Sequence, residues 1–201
     1  MQQKYPWNKG KIIGQKRPFS RKDIWAIRHF LETEGETRDL ALFNLGLDSK
    51  LRGCDLVALK VSDIVHAGKI LNRATVVQSK THRAVRFELT KPTRVAIALW
   101  LSSIDPQLSP YIFPSKYSSS GHLTPKQYSR RLQYWVAKVG LDPCDYGGHS
   151  LRRTKATLIY RETKNLRAVQ LLLGHQKLDS TVRYLGIDLD DALDLSESID
   201  I

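Results

Sequence analysis

Residues 147–184 read GGHSLRRTKATLIYRETKNLRAVQLLLGHQKLDSTVRY and bring several chemically active side chains into a short stretch. His149 and Arg152 lie three positions apart, which places both on one face of a helix and allows them to bind one ligand together. His175 follows a glycine that is typical of a helix end, and Tyr184 comes soon after it. A cation, an imidazole and a phenol are the groups that cleavage of a phosphodiester through a covalent tyrosine requires.

The composition indicates a partner with many negative charges. The 201 residues include 32 Lys and Arg against 20 Asp and Glu, for a net charge of +12. A basic surface releases counterions when it meets phosphates, so nucleic acid is the expected partner and an anionic membrane is second. Residues 188–201 hold six acidic and no basic residues, so the rest of the chain is more basic still. The length predicts one well-packed domain.

The cysteines and the apolar runs exclude further classes of protein. Cys54 and Cys144 form neither a CxxC pair nor a spaced framework, which argues against a disulfide scaffold or a structural zinc site. The N-terminus lacks the apolar core of a signal peptide, and no apolar run is long enough to span a membrane. The sequence therefore predicts a cytoplasmic protein, associated with the nucleoid through DNA, with no membrane contact and no cofactor or metal.

The N-terminal part predicts a basic arm followed by two helices. The first 22 residues carry seven Lys or Arg and no acidic residue, and residues 1–19 are expected to form an arm that is either solvated or tracks DNA phosphate. Ser20 and Asp23 form a capping-box pattern that opens the first helix. Thr37 is predicted to cap the second helix. Apolar residues recur at helical spacing in both, so these helices are expected to build the core.

The middle of the chain changes to strand character. Residues 70–77 are largely apolar or β-branched, residues 84–89 alternate between apolar and polar side chains, and the polar turn between them carries Lys80 at its tip. This pattern predicts a β-hairpin. By itself Lys80 is interpreted as a solvated turn residue. Arg52 stands between two apolar segments, and by itself it is interpreted as a surface or salt-bridged residue.

Two further helices follow the hairpin. Pro92 lies in the first turn of one, whose inward-facing residues are predicted to be Val95, Ala98 and Leu99. Pro125 lies in the first turn of the other, which carries an apolar stripe and stops at Gly140. The opposite face of this helix is basic and faces either solvent or DNA. Its basic residues are Lys126, Arg130, Arg131 and Lys138.

Six of these residues occur in the order and context that characterise one family. The contexts are Leu51-Arg52-Gly53-Cys54-Asp55-Leu56, Ser79-Lys80-Thr81, His149 with Arg152, Leu172-Leu173-Gly174-His175, and Tyr184. Together they resemble the tyrosine recombinases, the phage-integrase-type site-specific recombinases. The resemblance implies a mainly α fold with a small β-hairpin (α+β), the DNA breaking-rejoining catalytic fold. It divides the chain into a basic arm (1–19), a catalytic domain (20–187) and an acidic tail (188–201).

The resemblance also implies a set of catalytic residues whose chemistry suits phosphoryl transfer. They are Arg52, Lys80, His149, Arg152, His175 and Tyr184. Two arginines can each present paired N–H donors to phosphate oxygens and neutralise the charge that develops there. Tyr184 is the expected nucleophile. An unperturbed phenol has a pKa of about 10, so it needs a base or a cationic field near it.

The other three residues are expected to donate hydrogen bonds or move protons. His149 is the candidate proton acceptor for the tyrosine, and His175 would donate a hydrogen bond to a phosphate oxygen. Lys80 would protonate the departing 5′ oxygen as general acid. The scattered histidines elsewhere are interpreted as structural or surface residues. They are His29, His66, His82 and His122.

The resemblance implies double-stranded DNA as the partner and a dimer or tetramer on that DNA. The acidic tail is interpreted either as a solvated terminus or as a short amphipathic helix that docks on a neighbouring protomer. Accessory DNA-binding proteins could assist. The chain leaves no room for the helical core-binding domain that usually precedes the catalytic domain, so a short form is expected. Two alternatives stay open: relaxation like that of a type IB topoisomerase, and a non-catalytic DNA-binding regulator. Integration, excision, inversion and resolution are equally compatible with the motifs.

Overall fold

The structure is a computed structural model that describes residues 15–104 and 109–186, together with residue 197. Helices predominate in these residues, and two short antiparallel strand pairs lie among them, which confirms the predicted mainly α fold with a small β component. The helices are α1 (Arg21–Thr33), α2 (Thr37–Ser49), α3 (Gly53–Val57), α4 (Val61–Ile64), α5 (Lys91–Ser102), α6 (Pro125–Lys138), α7 (Gly148–Thr163), α8 (Leu166–Leu173) and α9 (Leu178–Leu185). The strands are β1 (Val65–His66), β2 (Lys69–Ile70), β3 (Arg73–Val77) and β4 (Ala84–Glu88).

Helix α2 forms the centre of the core. All of its residues from Asp39 to Ser49 are buried, and it packs against α1, α5 and α7. A helix that is buried on every side must satisfy its polar side chains internally. Asp39 accepts hydrogen bonds from Trp135 Nε1 at 2.9 Å and from Arg131 Nε at 2.5 Å, which fixes α6 against α2. Arg131 is therefore held in an internal ion pair and does not belong to the freely exposed basic face of α6.

Helix starts occur where the sequence predicts them. The Ser20 hydroxyl accepts from the Asp23 N–H at 3.1 Å, and the Asp23 carboxylate accepts from the Ser20 N–H at 2.8 Å, so the capping box of α1 is confirmed. Thr124 caps α6 in the same way. The predicted cap of α2 is wrong: the helix begins at Thr37, but Glu36 occupies the N-cap position and no side chain caps this helix. These local bonds satisfy main-chain N–H groups that the first turn of a helix leaves free.

Helix α5 presents a different face to the core from the predicted one. The residues predicted to face inward are exposed; they are Val95, Ala98 and Leu99. The buried residues are Thr93, Ala96 and Ile97. The Thr93 hydroxyl donates to Asp48 Oδ2 of α2 at 2.5 Å, and the Thr90 N–H donates to the same oxygen at 2.8 Å. These bonds fix the rotation of α5, because a buried carboxylate must keep its donors.

Strands β3 and β4 form the predicted β-hairpin. Their antiparallel register runs from Arg73 opposite Glu88 to Val77 opposite Ala84. Ile70, which the sequence pattern assigned to this hairpin, belongs instead to the separate two-residue pair β1–β2. The hairpin turn therefore lies where it was predicted, while the first strand is shorter.

Helices α7, α8 and α9 surround a small second hydrophobic cluster, on which Tyr184 packs. Helix α8 ends at Gly174, as predicted, with a left-handed φ of +68°. An ideal Cβ on Gly174 would lie 2.8 Å from Val85 Cγ2. Only glycine therefore allows the end of α8 to approach β4 this closely. The sequence pattern did not predict α9, the helix that carries Tyr184.

Residues 15–19, the described end of the predicted basic arm, pack on the domain. The Phe19 ring is buried and stacks on Tyr146 with ring centroids 4.5 Å apart. Its main-chain N–H donates to Thr154 Oγ1 at 2.9 Å, so these five residues are not a solvated arm. The rest of the predicted arm and all of the predicted tail except Glu197 lie outside the described residues. No helix in the described ranges is long and apolar enough to cross a membrane.

Candidate active site

The six predicted site residues come from five separate places in the fold. Arg52 precedes α3, Lys80 lies in the turn between β3 and β4, His149 and Arg152 lie on α7, His175 follows α8, and Tyr184 lies on α9. His175 contacts the ring of Tyr184, and Arg152 Cζ lies 5.9 Å from the centroid of that ring. The charge of Arg52 helps to lower the pKa values of Arg152, His149 and His175, and the charge of Lys80 helps to lower that of His149. The tertiary fold, and not any one motif, assembles this cluster.

Arg152 is the most deeply buried of the six, with 3% of the residue exposed. Its Nη1 donates to the main-chain carbonyl of Lys50, and its Nη2 donates to the carbonyl of Leu173 at 2.8 Å. Both acceptors are neutral, so the guanidinium keeps its positive charge available. Burial lowers the pKa of Arg152, but an arginine stays charged at neutral pH.

Arg52 is partly exposed at the N-cap position of α3. Its Nη1 donates to Gln78 Oε1 at 2.6 Å. After burial, the charge of Arg52 helps to lower the pKa of Arg152, so both guanidinium groups act on the same site. In the two described ranges neither arginine forms an ion pair with a carboxylate. Two arginines that act on one site without such an ion pair suit the binding of one phosphate.

Tyr184 packs with its hydroxyl inside the protein. Burial raises the pKa of this phenol to about 12, and the charges of Arg152 and Arg153 oppose the rise. The Cζ atoms of Arg152 and Arg153 lie 5.9 Å and 5.5 Å from the ring centroid. Arg152 comes close enough to the hydroxyl to counteract the rise in the pKa of the phenol, but no group in the residues that the structure describes meets this hydroxyl with hydrogen-bond geometry. The phenol is protonated at neutral pH.

His175 contacts both Tyr184 and α9. Its ring meets the Tyr184 ring edge-on, with centroids 5.4 Å apart and planes at 83°. Its Nδ1 lies 3.1 Å from the hydroxyl oxygen of Thr181, which is fully buried. Burial and the charges of Arg152 and Arg52 lower the pKa of His175 to about 4. The imidazole is therefore neutral at physiological pH and carries one N–H.

His149 and Lys80 lie at the open side of the cluster. His149 is exposed in the first turn of α7, yet partial loss of hydration lowers the pKa of its ring, and four cationic side chains lower it further. The four are Arg152, Arg52, Arg153 and Lys80. Lys80 is itself exposed at the tip of the hairpin turn. The neutral form of His149 is therefore favoured, as a proton acceptor requires.

Besides Gln78, three supporting residues were missed by sequence reasoning. Asp55 Oδ1 accepts from the Ser79 N–H at 2.9 Å and from the Ser79 hydroxyl at 2.6 Å, which holds the Lys80 turn against α3. Arg153 contacts the Tyr184 ring, and the third residue, Thr181, contacts His175. Asp55 belongs to the motif around Arg52, so its position was a usable indication. Thr181 carries no such indication.

The N-terminal segment borders the same cluster. Gln15 Nε2 donates to the Arg183 carbonyl at 2.8 Å, and Arg153 Nη1 donates to the Lys16 carbonyl at 2.8 Å. A cleft of about 440 Å³ lies between this segment and the start of α7. It is lined by Gln15, Lys16, Gly147, Gly148, His149, Arg153 and Tyr184. Residues assigned to the arm thus form one wall beside the candidate nucleophile.

Possible metal ligands do not group together in the part of the chain that the structure describes. No set of three or more His, Cys, Asp or Glu side chains there is arranged to hold a metal ion. Cys54 and Cys144 are both exposed and free. The candidate site is therefore built from arginine, histidine, lysine and tyrosine.

Solved structures with the same architecture are recombinases and integrases. The XerA recombinase aligns over 92% of this chain and 65% of its own, with a TM-score of 0.74 and 20% identity. The XerH site-specific recombinase bound to palindromic difH substrate, in a post-cleavage complex, aligns over 92% of this chain and 54% of its own (TM-score 0.69, 19% identity). A lambda integrase dimer bound to a COC′ core site aligns over 89% and 49% (TM-score 0.63, 19% identity). The architecture is the tyrosine recombinase catalytic fold.

The sequence comparisons identify the family. Residues 18–189 match the phage integrase family, and the chain belongs to it. The probable integrase/recombinase YoeC of Bacillus subtilis (strain 168) is 29% identical over 177 residues, which cover 85% of this chain and 89% of YoeC. The tyrosine recombinase XerC of Erythrobacter litoralis (strain HTCC2594) is 29% identical, over 86% of this chain and 56% of XerC. The tyrosine recombinase XerD of Brucella suis biovar 1 (strain 1330) is 30% identical, over 68% and 44%.

These comparisons confirm the predicted family and enzyme class. Tyrosine recombinases such as XerC and XerD are DNA strand-transferring enzymes, and this chain is a tyrosine-type recombinase by family. It spans most of the length of YoeC but only about half the length of the XerC and XerD relatives.

Proposed function

We propose that this chain is a site-specific recombinase that cleaves and rejoins double-stranded DNA through a 3′-phosphotyrosyl intermediate. The observation that carries the proposal is the setting of Tyr184. Its buried hydroxyl lies beside the guanidinium groups of Arg152 and Arg153 and its ring lies against His175. A buried hydroxyl that finds no partner in the described residues is unusual in a structural tyrosine. It is suited to a nucleophile that meets its phosphate only when DNA binds.

Arg52 and Arg152 bind the non-bridging oxygens of the scissile phosphate. An arginine has five N–H donors. Arg152 uses Nη1 and Nη2 to hold two carbonyls, and Arg52 uses Nη1 to hold Gln78, so both retain donors for phosphate oxygens. The negative charge on these oxygens increases as the new bond forms, so the arginines stabilise the transition state more than the bound substrate.

The cleavage step transfers phosphorus from the 5′ oxygen of one nucleotide to Tyr184. The phenolic oxygen attacks phosphorus, the bond to the 5′ oxygen breaks, and the 3′ side of the strand becomes attached to the tyrosine. The phenolic proton passes to neutral His149, and Lys80 protonates the departing oxygen. Because the phenol has a pKa of about 12, this proton transfer must accompany the attack. The phosphodiester bond energy is kept, so a 5′ hydroxyl from a partner strand can reseal the break without ATP.

His175 acts as a neutral hydrogen-bond donor to the same phosphate. Nδ1 lies 3.1 Å from the Thr181 hydroxyl oxygen. We assign the tautomer in which this hydroxyl donates to Nδ1, so that the single ring proton is on Nε2 and is free for a non-bridging oxygen. A pKa of about 4 keeps this ring uncharged throughout the physiological range. The ring contact with Tyr184 also limits how the phenol can rotate.

The proposed partner is duplex DNA at the nucleoid, bound by a dimer or tetramer. The XerH recombinase bound to difH and the lambda integrase dimer bound to its core site support this assembly by analogy. The net charge of +12 favours binding along the phosphate backbone. The acidic residues 188–201 contact a basic neighbouring protomer in this proposal. Accessory DNA-binding proteins help to select the DNA site.

The proposal is tested by recovering the DNA that the protein holds covalently. The chain is expressed in bacterial cells, purified under denaturing conditions, and the attached DNA is sequenced. We expect a defined sequence linked through its 3′ phosphate. If no DNA is covalently attached, although DNA binding is retained in native conditions, the chain is a non-catalytic DNA-binding regulator and the proposal is wrong.

A second pair of assays separates recombination from topoisomerase-like relaxation. Two copies of the recovered site are placed on one supercoiled plasmid, and strand exchange and superhelical density are measured in the same reaction. We expect exchange between the two sites. Relaxation of the plasmid without exchange would assign the activity to type IB topoisomerase chemistry instead.

A further inference from the structure

Gln78 is a buried polar residue that has no assigned role in the proposed cleavage step. It directly follows β3, two positions before Lys80, and it is 0% exposed. Its side-chain oxygen accepts two hydrogen bonds, one from Arg52 Nη1 at 2.6 Å and one from the Thr81 hydroxyl at 2.9 Å. A charge-assisted bond of this length restricts where the guanidinium can point.

The main chain of Gln78 closes the base of the hairpin turn. Its N–H donates to the Arg83 carbonyl, and its carbonyl accepts from the His82 N–H, both at 2.8 Å. One residue therefore connects Arg52 to the turn that carries Lys80. Gln78 also lies beside the corner that precedes His175, because an ideal Cβ on Gly174 would be 3.8 Å from its Oε1 and 4.0 Å from its Nε2.

The amide nitrogen of Gln78 is buried and has no hydrogen-bond partner in the described part of the chain. A buried N–H group without an acceptor lowers stability and is rare in folded proteins. If this side chain only filled space, an apolar side chain would do so without an unsatisfied N–H group. The role of this amide therefore resides in its oxygen, the atom that Arg52 and Thr81 contact.

An amide oxygen orients an arginine without cancelling its charge. A carboxylate at this position would form an ion pair with Arg52 and offset the charge that a phosphate needs. Arg152 is held on the same principle by the main-chain carbonyls of Lys50 and Leu173. Asp55 belongs to the same motif as Arg52, but its bonded oxygen accepts from Ser79. Both arginines are thus oriented by neutral acceptors.

We propose that Gln78 is a positioning residue for DNA cleavage. It holds the Arg52 guanidinium in the orientation that binds the scissile phosphate and leaves its positive charge unneutralised for the transition state. The inference rests on the proposed function, because it assigns Gln78 a part in the same cleavage step. Gln78 acts through Arg52 and not by contact with the reacting atoms.

A double-mutant cycle tests this role. Rate constants for covalent-complex formation are measured in single turnover on a nicked duplex carrying the recovered site, with saturating enzyme. Gln78→Met removes the acceptor, and Gln78→Glu keeps an acceptor but adds a negative charge. Each should lower the rate constant about 10- to 100-fold with little change in DNA affinity. In the Arg52→Ala background, Gln78→Met should have no further effect, because residues that act as one unit are not additive.

The matched control is Gln133→Met on the exposed face of α6, which should react like the wild type. The proposal is overturned if Gln78→Met slows the reaction equally with and without Arg52, or if Gln78→Glu reacts like the wild type. Misfolding would reduce the fraction of enzyme that reacts and not its rate constant. If Gln78→Met proves unstable, Gln78→Leu replaces it in the same cycle. A wild-type chain that forms no covalent complex would refute the proposed function itself, a result distinct from any failure of the cycle.

Discussion

Arg52 and Arg152 hold different groups, so their removal should have different consequences. Arg152 donates to the main-chain carbonyls of Lys50 and Leu173, and its loss would leave two interior acceptors without these donors. Arg52 is partly exposed and donates to one side chain. Both arginines contribute charge to the proposed phosphate site, but only Arg152 also joins α2, α7 and the end of α8.

We therefore expect Arg52→Ala and Arg152→Ala each to reduce transition-state stabilisation by roughly 2–4 kcal/mol, by analogy with the loss of one oxyanion donor. Arg152→Ala should in addition lower the free energy of unfolding by about 1–3 kcal/mol, whereas Arg52→Ala should change it little. Single-turnover cleavage and chemical denaturation measure the two effects, with exposed Arg161→Ala as the control. Near-normal cleavage by both variants would contradict the phosphate clamp.

His175 predicts a loss of stability at acidic pH. The pKa of this ring is about 4 in the folded protein, compared with an ordinary value of 6.5. Between these values the unfolded chain binds a proton that the folded protein does not, so stability is complete above pH 6.5 and decreases toward pH 4. His175→Gln should reduce the change in melting temperature between about pH 6.5 and pH 4.5. An unchanged pH dependence in this variant would show that the fold does not keep the ring neutral.

Sequence reasoning could find the site residues that stand in recognisable local contexts. His149 and Arg152 share a helix face, and His175 follows a helix-ending glycine, so each was predictable before the fold was known. Gln78 and Thr181 act through hydrogen bonds to other segments, which no local pattern encodes. The packing of residues 15–19, with Gln15 and Lys16 beside Tyr184, was equally inaccessible, because a basic segment with Pro and Gly is typical of a solvated arm.

The positions of helices and strands along the chain were easier to predict than the helix faces that pack against the core. The hairpin and the starts of α1 and α6 agree with the sequence, because capping residues and alternation are local. The face of α5 does not agree. Two apolar stripes compete on that helix, and the choice is made by Asp48 of α2, which bonds Thr90 and Thr93. A contact between residues 45 positions apart cannot be deduced from helical periodicity.

The junction between α8 and β4 depends on Gly174. Its φ of +68° is costly for other residues, and an added Cβ would lie 2.8 Å from Val85 Cγ2. Gly174→Ala should lower the free energy of unfolding by about 2–5 kcal/mol, combining backbone strain with overpacking. It should also slow cleavage, since His175 follows directly.

Gly35 provides the matched control for this prediction. It has a similar φ of +66°, and no atom lies within 4 Å of its added Cβ. Gly35→Ala should therefore cost only the backbone strain, about 1–2 kcal/mol. Equal losses in the two variants, measured by urea denaturation, would mean that the contact with β4 is not what requires glycine at residue 174.

The distribution of charge in the whole molecule predicts separate roles for the basic residues that precede position 188 and for the acidic tail, residues 188–201. Residues 188–201 carry six acidic and no basic residues. Their deletion should impair assembly and strand exchange more than simple DNA binding, because the Lys and Arg that meet phosphate remain. Gel mobility and analytical ultracentrifugation on DNA measure these effects. Replacing the six acids by their amides keeps the length as a control for charge. Unchanged assembly and recombination after deletion would contradict the proposed docking.

Covalent trapping of DNA tests directly whether Tyr184 is the nucleophile. A nicked suicide duplex with the recovered site is incubated with the wild-type chain, with Tyr184→Phe, and with Tyr160→Phe as a control tyrosine that packs on the same hydrophobic cluster. Wild type and Tyr160→Phe should accumulate a complex in which mass spectrometry finds a 3′ phosphate on the peptide containing Tyr184. Tyr184→Phe should bind the duplex with similar affinity and form no complex. Trapping by Tyr184→Phe at the wild-type level would show that Tyr184 is not the nucleophile.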